Sequence, residues 1–311
     1  MFDVVIIGNI TEDTILKISG SKNKSFGGGA TYAAFCLRAL GAKVGIVGNV
    51  GREFQYLQKF KGIDLSGVKL TKESTKFELE YEERVIWDGP RSLKLLKNAG
   101  KIESFPEEFA NARAVIFGPI FKEVTPQLIR SFSCPIKAID LQGILREKAP
   151  NNRIFYKIPE SLRDFLEVDV IKIGQVEARI LGNSFQEICE KVISQRVKAI
   201  LITFGEKGSV VCDCLKQKIK PMPAYKTKVA DPTGTGDTYL SSFIYNYIKT
   251  QDVIDSAYFA SAAASFVVEG IGPSKFGGLN EIVKRSSALR QIPVGKSLIK
   301  ELEDEILWND K

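Results

Sequence analysis

The chain has 311 residues, 44% of them apolar and 26% charged, with a formal net charge of +7 and no histidine. That length buries a sizeable core, in one large α/β domain or two small ones. The missing histidine excludes a Ser-His-Asp triad, a Cys-His dyad, His-ligated zinc and any histidine base, so catalysis must rest on carboxylates, lysines, backbone amides or a bound cation.

From the N-terminus, "DVVIIG" (3–8) reads as a first strand and not as a leader, since no basic stretch or cleavage site accompanies it. A cytoplasmic location is the expectation, and no apolar run approaches the length of a membrane span. "DTILKISG" (13–20) alternates apolar and polar residues, "ATYAAFCLRALGA" (30–42) has a helical pattern, and "KVGIVG" (43–48) reads as a second buried strand. Residues 70–104, "LTKESTKFELEYEERVIWDGPRSLKLLKNAGKIES", alternate again and contain a "DGP" turn. Alternation of this kind predicts strands with one wet face, hence a small antiparallel flap, which "DTILKISG" would join.

The remaining runs are "AVIFGP" (114–119), "IKAID" (136–140), "DVIKIG" (169–174), the helical "QVEARILG" (175–182) and "AILITFG" (199–205). Runs rich in Val and Ile, bounded by Gly or Asp, are strands buried on both faces. Their alternation with helices predicts an α/β fold with a mostly parallel central sheet. The expectation is a single domain over residues 1–311, with a lid formed by about 13–26 and 70–104.

Lys and Arg are dispersed, without a basic arm or an aromatic-spaced stripe, so neither nucleic acid nor a membrane is an expected partner. Anionic small molecules suit the charge at least as well. The five cysteines (36, 134, 189, 212, 214) lack zinc-type spacing and are expected to be buried free thiols, with Cys212 and Cys214 on one face of a strand.

The densest cluster of small and acidic residues is "DPTGTGDTYL" (231–240), which runs into an apolar helical stretch. A helix N-terminus offers unpaired N–H groups and a positive dipole end to an anion. Glycines at 234 and 236 would let a phosphate approach the backbone, and Asp237 would then be a carboxylate placed to accept a proton. The same spacing is met by a glycine-rich turn with Asp as N-cap.

"DPTGTGDTYLSSF" resembles the second signature of the ribokinase/PfkB carbohydrate kinases, of the form D-T-x-G-A-G-D, at Asp231, Thr233, Gly234, Thr235, Gly236 and Asp237. The resemblance implies a ribokinase-like three-layer fold with a small β-lid. It also implies that the amides of 234–237 form an anion hole for the transferred phosphoryl group, that Asp237 is the catalytic base, and that Asp231 and Thr233 border a monovalent-cation site. Other segments agree in order along residues 3–278. "GNITED" places Asp13 where the family binds substrate hydroxyls, and "FGGGATYAAFCLRALGAKVGIVGNVG" resembles the first signature, with Gly27 and Gly28 as hinge beneath the acceptor. "ITFGEKG" matches a nucleotide-side T-x-G-x-x-G at Thr203, Gly205 and Gly208.

The chain departs from the family at two places. The N-x-x-E associated with magnesium is "GQVE", so Glu177 remains while Gly174 replaces Asn, and a substrate-side Asn of the first signature is Tyr32. "DLQGILR" (140–146), "KIGQVEA", Tyr32 and "GIGPSKF" are similar to the myo-inositol kinase branch, which implies a cyclitol or related polyol as acceptor. Nucleoside or ordinary sugar phosphorylation is the competing reading, and a regulatory ligand-binding protein on the same fold is the non-catalytic one. No G-x-x-x-x-G-K-[ST] and no G-x-G-x-x-G occurs, which removes P-loop and dinucleotide-binding readings. The expected cofactors are ATP, Mg²⁺ held by Glu177 through water, and a monovalent cation. The expected partners are a polyol or sugar, a nucleotide, and a second copy meeting this one through the lid.

Overall fold

The computed structural model describes residues 1–16, 22–81 and 91–307. The expected "DGP" turn, at 88–90, and part of the first lid segment lie outside the described residues. The chain begins with β1 (Val4–Ile7), β2 (Thr11–Leu16), β3 (Lys22–Gly27), α1 (Gly29–Ala39), β4 (Val44–Gly51) and β5 (Asp64–Thr71). It continues through β6 (Thr75–Tyr81), β7 (Arg91–Lys97), β8 (Ala114–Phe117), α2 (Pro126–Ser131), β9 (Ile136–Asp140) and α3 (Gln142–Leu145). A short pair, β10 (Arg146–Lys148) and β11 (Ile154–Tyr156), precedes β12 (Val170–Gly174), α4 (Gln175–Leu181) and α5 (Phe185–Val192). Then come β13 (Ala199–Thr203), β14 (Ser209–Asp213), β15 (Lys218–Met222), α6 (Thr235–Thr250), α7 (Val253–Val267), α8 (Leu279–Arg290) and α9 (Lys296–Leu307).

Nine strands make one sheet in the order β15-β14-β13-β12-β9-β8-β1-β4-β5. From β13 to β5 all neighbours are parallel, and β14 and β15 add antiparallel at one edge. Period-two alternation divides the core. Val4 and Ile6 pack with α1, α6, α7 and α8, while Val5 and Ile7 pack with α2, α4, α5 and α9. All four side chains of β1 are fully buried, and burial of each contributes about 1.5–3 kcal/mol. The result is the three-layer α/β/α arrangement expected from the sequence.

The chain leaves β1 toward β4 and β5, then returns at β8 on the other side. A parallel sheet opens a crevice at such a switch point, beyond the carboxyl ends of its strands. The lid covers that end. It is a separate four-stranded sheet in the order β3-β2-β6-β7. Two expectations are corrected here. The lid is not wholly antiparallel, because β2 and β6 pair in parallel while β2–β3 and β6–β7 are antiparallel. Both β2 and β6 follow directly from parallel strands of the main sheet, β1 and β5, so they emerge in the same direction. Residues 70 and 71 belong to β5 and the main sheet, and the second lid segment begins at Thr75.

Among the described residues no helix is long and apolar enough to cross a membrane. All five cysteines are free; Cys36 and Cys134 are buried, whereas Cys189, Cys212 and Cys214 are half-buried, against the expectation of full burial. Cys212 Sγ and Cys214 Sγ lie 3.8 Å apart, but they do not share a strand as expected, because β14 ends at Asp213 and Cys214 begins the turn after it.

Candidate active site

Two cavities meet at the start of α6. The smaller, about 190 Å³, lies beneath the lid and is lined by Asp13, Gly28, Tyr32, Thr233, Gly234 and Asp237, with lid residues Phe77, Leu79 and Leu93. The larger, about 670 Å³, is lined by Thr203, Gly205 and Gly208, with Tyr225, Val229 and Val268 among its apolar walls. Thr235, Gly236 and Lys172 line both. Residues from five distant segments therefore converge on these two cavities.

The junction is built by local chain geometry. Gly234 is the N-cap of α6 with φ of 80°, a left-handed conformation that favours glycine, and a Cβ there would collide with the Tyr32 ring. Tyr32, 3% exposed, closes the smaller cavity and its ring packs directly over that turn. Thr235 N–H donates to Pro232 O at 3.3 Å. The first-turn amides of Gly236 and Asp237 remain, and by position they have no intrahelical acceptor. Asp237 stands in this first turn, where a carboxylate also meets the positive end of the helix dipole.

Asp237 is half-buried, and α1 approaches it closely. A Cβ on Gly29, the first residue of α1, would stand 2.8 Å from Asp237 Oδ1. Burial, then the Asp140 carboxylate, raise the Asp237 pKa to about 6, against the opposing pull of Lys172 and Arg146. A carboxylate in that range is ionised at neutral pH yet basic enough to take a proton.

Three charged residues beside Asp237 had no role assigned from sequence. Lys172 Nζ donates to Asp140 Oδ2 at 2.9 Å, with their side chains 5% and 4% exposed. A Cβ on Gly236 would stand 2.6 Å from Lys172 Nζ, so the ammonium lies against the anion-binding turn. Burial works against this ammonium, but Asp140, Glu177 and Asp237 outweigh it and hold its pKa above the ordinary lysine value. Arg146, buried at the edge of the smaller cavity, donates from Nη1 to Ile120 O at 3.0 Å. A signal for the pair was available. Asp140 and Lys172 sit in strands that read as buried on both faces, and a charge there requires a partner.

Asp13, on β2, accepts from Thr11 Oγ1 at 3.0 Å and lines the smaller cavity. Gly27 lines neither cavity but touches this wall, since a Cβ there would stand 3.2 Å from Asp13 Oδ2. Asp231 also lines neither. Its two carboxylate oxygens accept the N–H groups of Thr233 and Gly272, each at 2.9 Å, which ties the loop before α6 to the chain after α7. Thr233 Oγ1, beside the smaller cavity, is buried without a hydrogen-bond partner among the described residues.

Glu177 is only 2% exposed and lines neither cavity. Burial raises its pKa, and Lys172 acts in the opposite direction. The missing side chain at Gly174 leaves space that the Glu177 carboxylate itself enters. Among the described residues no group of three or more acidic or thiol side chains could hold a metal together. Mg²⁺, which keeps several waters and takes its other ligands from phosphate oxygens, requires no such group.

A family model described as pfkB family carbohydrate kinase matches residues 1–276. The cytidine kinase of Thermococcus kodakarensis is 26% identical over 256 residues, covering 80% of this chain and 90% of that protein. The inositol 3-kinase of Arabidopsis thaliana is 25% identical over 281 residues, covering 88% of this chain and 76% of the relative. A solved ribokinase-family structure, a pyrophosphate-dependent kinase complexed with a pyrophosphate analogue and myo-inositol, superposes with a TM-score of 0.73 at 22% identity, covering 92% of this chain and 99% of its own. Family match, fold and paired cavities agree, and the chain belongs to the pfkB family of carbohydrate kinases, phosphotransferases that act on hydroxyl groups of sugars and polyols.

Proposed function

We propose that this kinase transfers the γ-phosphoryl group of ATP to a hydroxyl of a small neutral cyclitol, with myo-inositol as the preferred acceptor. The observation that carries the reading is the size and lining of the acceptor cavity. At about 190 Å³ it falls below the roughly 300–1,000 Å³ of most ligand pockets, which favours a single ring over a nucleoside. Asp13 and Thr233 offer oxygens to ring hydroxyls, while Tyr32, Phe77, Leu79 and Leu93 offer apolar surface to a C–H face. The similarity to an inositol 3-kinase supports the same acceptor class.

For the donor, a pyrophosphate would leave most of a 670 Å³ cavity empty, whereas a nucleotide base suits the walls at Tyr225, Val229 and Val268. Glu177 would reach Mg²⁺ only through a water, and the ion would supply charge neutralisation on the donor phosphates. Asp13 grips the acceptor and the lid excludes water that would otherwise hydrolyse the donor. Asp237 takes the proton of the attacking hydroxyl as the phosphoryl group moves in line. A positioned base contributes about 10²–10⁴-fold, and the fixed amides and Lys172 stabilise charge as it develops.

The similarity to a cytidine kinase favours a second reading, a nucleoside acceptor. Both are tested by ADP production in a coupled assay with myo-inositol, other cyclitols, hexoses, fructose phosphates and nucleosides. The highest kcat/KM is expected for myo-inositol. Highest turnover with cytidine or a phosphosugar overturns the cyclitol assignment and leaves the kinase chemistry in place.

A further inference from the structure

The family match ends at residue 276, and α9 lies beyond it. The helix is anchored by Leu302 and Ile306, 0% and 3% exposed, in the same core as α4 and α5. Between those anchors Glu305 makes three contacts with the walls of the larger cavity and their support. Its Oε1 meets Lys207 Nζ at 2.7 Å and its Oε2 accepts from Gln175 Nε2 at 3.0 Å. Its backbone carbonyl accepts from Arg179 Nε at 3.0 Å.

Gln175 and Lys207 line that cavity from two different segments. Gln175 is the first residue of α4, and Lys207 is on the tight turn between Gly205 and Gly208. The strands leading to them, β12 and β13, are paired only as far as Gly174 and Thr203. Past that point the ladder no longer joins the two walls, and the Glu305 carboxylate spans them.

We propose that Glu305 is a positioning residue for the phosphoryl donor. It holds the Gly205–Gly208 turn against the start of α4, setting donor affinity without contact with the acceptor cavity. The Lys207 and Glu305 side chains are 37% and 21% exposed, so solvent screens their attraction only in part and the bridge depends on the carboxylate's charge as well as its place. The inference rests on the reading of the larger cavity as a nucleotide site.

The test is binding of the magnesium complex of the nonhydrolysable analogue AMP-PNP by calorimetry, together with steady-state kinetics, for wild type, Glu305→Gln, Lys207→Met and the double variant. Loss of one partly exposed bridging carboxylate should raise the nucleotide Kd and the donor KM by about 5- to 20-fold. For Glu305→Gln, the acceptor KM, and kcat at saturating donor, should stay within about twofold. The double variant should be no worse than the poorer single one, since both remove the same link. Unchanged nucleotide affinity in Glu305→Gln overturns the inference alone. Equal losses in both KM values and in thermal stability overturn it too, because they mark a merely structural helix. Failure of the wild type to bind AMP-PNP overturns the nucleotide-site reading and the inference with it.

Discussion

Replacing Asp140 with asparagine should shift the acid limb of the reaction to lower pH. Burial is the first cause that brings Asp237 to about 6, the Asp140 carboxylate is the second, and Lys172 and Arg146 oppose both. Asparagine keeps the Oδ1 that accepts Gln142 N–H at 3.0 Å, removes the charge, and puts an amide NH2 donor where Oδ2 accepted from Lys172. Lys172, which donates to Asp140 Oδ2 at 2.9 Å, then turns its full charge on Glu177 and Asp237. Both effects favour ionised Asp237. Because desolvation persists in the variant, its limb should settle between about 6 and the ordinary aspartate value of 3.8. A general base works only when deprotonated, so wild-type kcat/KM for the acceptor should be lost as pH falls through about 6. At pH 5 a base of that pKa is roughly one-tenth ionised, and one near 5 is about half ionised, a difference of about fivefold. The assay is the pH profile of acceptor kcat/KM at saturating ATP, each profile scaled to its own plateau. Breaking a buried ion pair costs about 3–5 kcal/mol when it strands a charge; Lys172 keeps Glu177 and Asp237 as partners, so a smaller fall in Tm is expected. An acid limb that stays in place or moves to higher pH would refute the coupling between Asp140 and Asp237.

Two further outcomes follow from the same site. Asp237→Asn keeps the shape and removes the proton acceptor, so kcat should fall by about 10²-fold or more with AMP-PNP affinity nearly unchanged; turnover close to wild type would remove Asp237 as the base. Glu177→Gln should raise the Mg²⁺ concentration needed for half-maximal rate, as read from magnesium titrations at fixed ATP. A superimposable magnesium curve would leave Glu177 solely as an internal partner of Lys172.

Much of this protein is written in short-range patterns. Val- and Ile-rich runs located β1, β4, β8, β9, β12 and β13, because a strand buried on both faces needs no partner to be recognised. The Gly-Thr-Gly-Asp turn at the start of α6 was legible for the same reason. An anion site at a helix N-terminus is made by consecutive residues, and Gly234, Gly236 and Asp237 lie within one turn. Thr203, Gly205 and Gly208 likewise reached the larger cavity, and Asp13 and Tyr32 the smaller one, from motifs that kept their local spacing.

What tertiary structure decided were the pairings. Alternation in residues 13–20 and 70–104 predicted strands with a wet face, but the parallel direction of β2 against β6 came from the strands they extend. Asp140 and Lys172, 32 residues apart, announced only that each needed a partner. That they pair with each other, beside Asp237 and against Gly236, depends on β9 and β12 being neighbours in the sheet. Glu305 carried no signal at all, since a glutamate on an amphipathic terminal helix normally faces water. Periodicity specifies which face a residue takes, while charge pairing and cavity walls depend on which elements lie side by side, and only the packed sheet and its helices settle that.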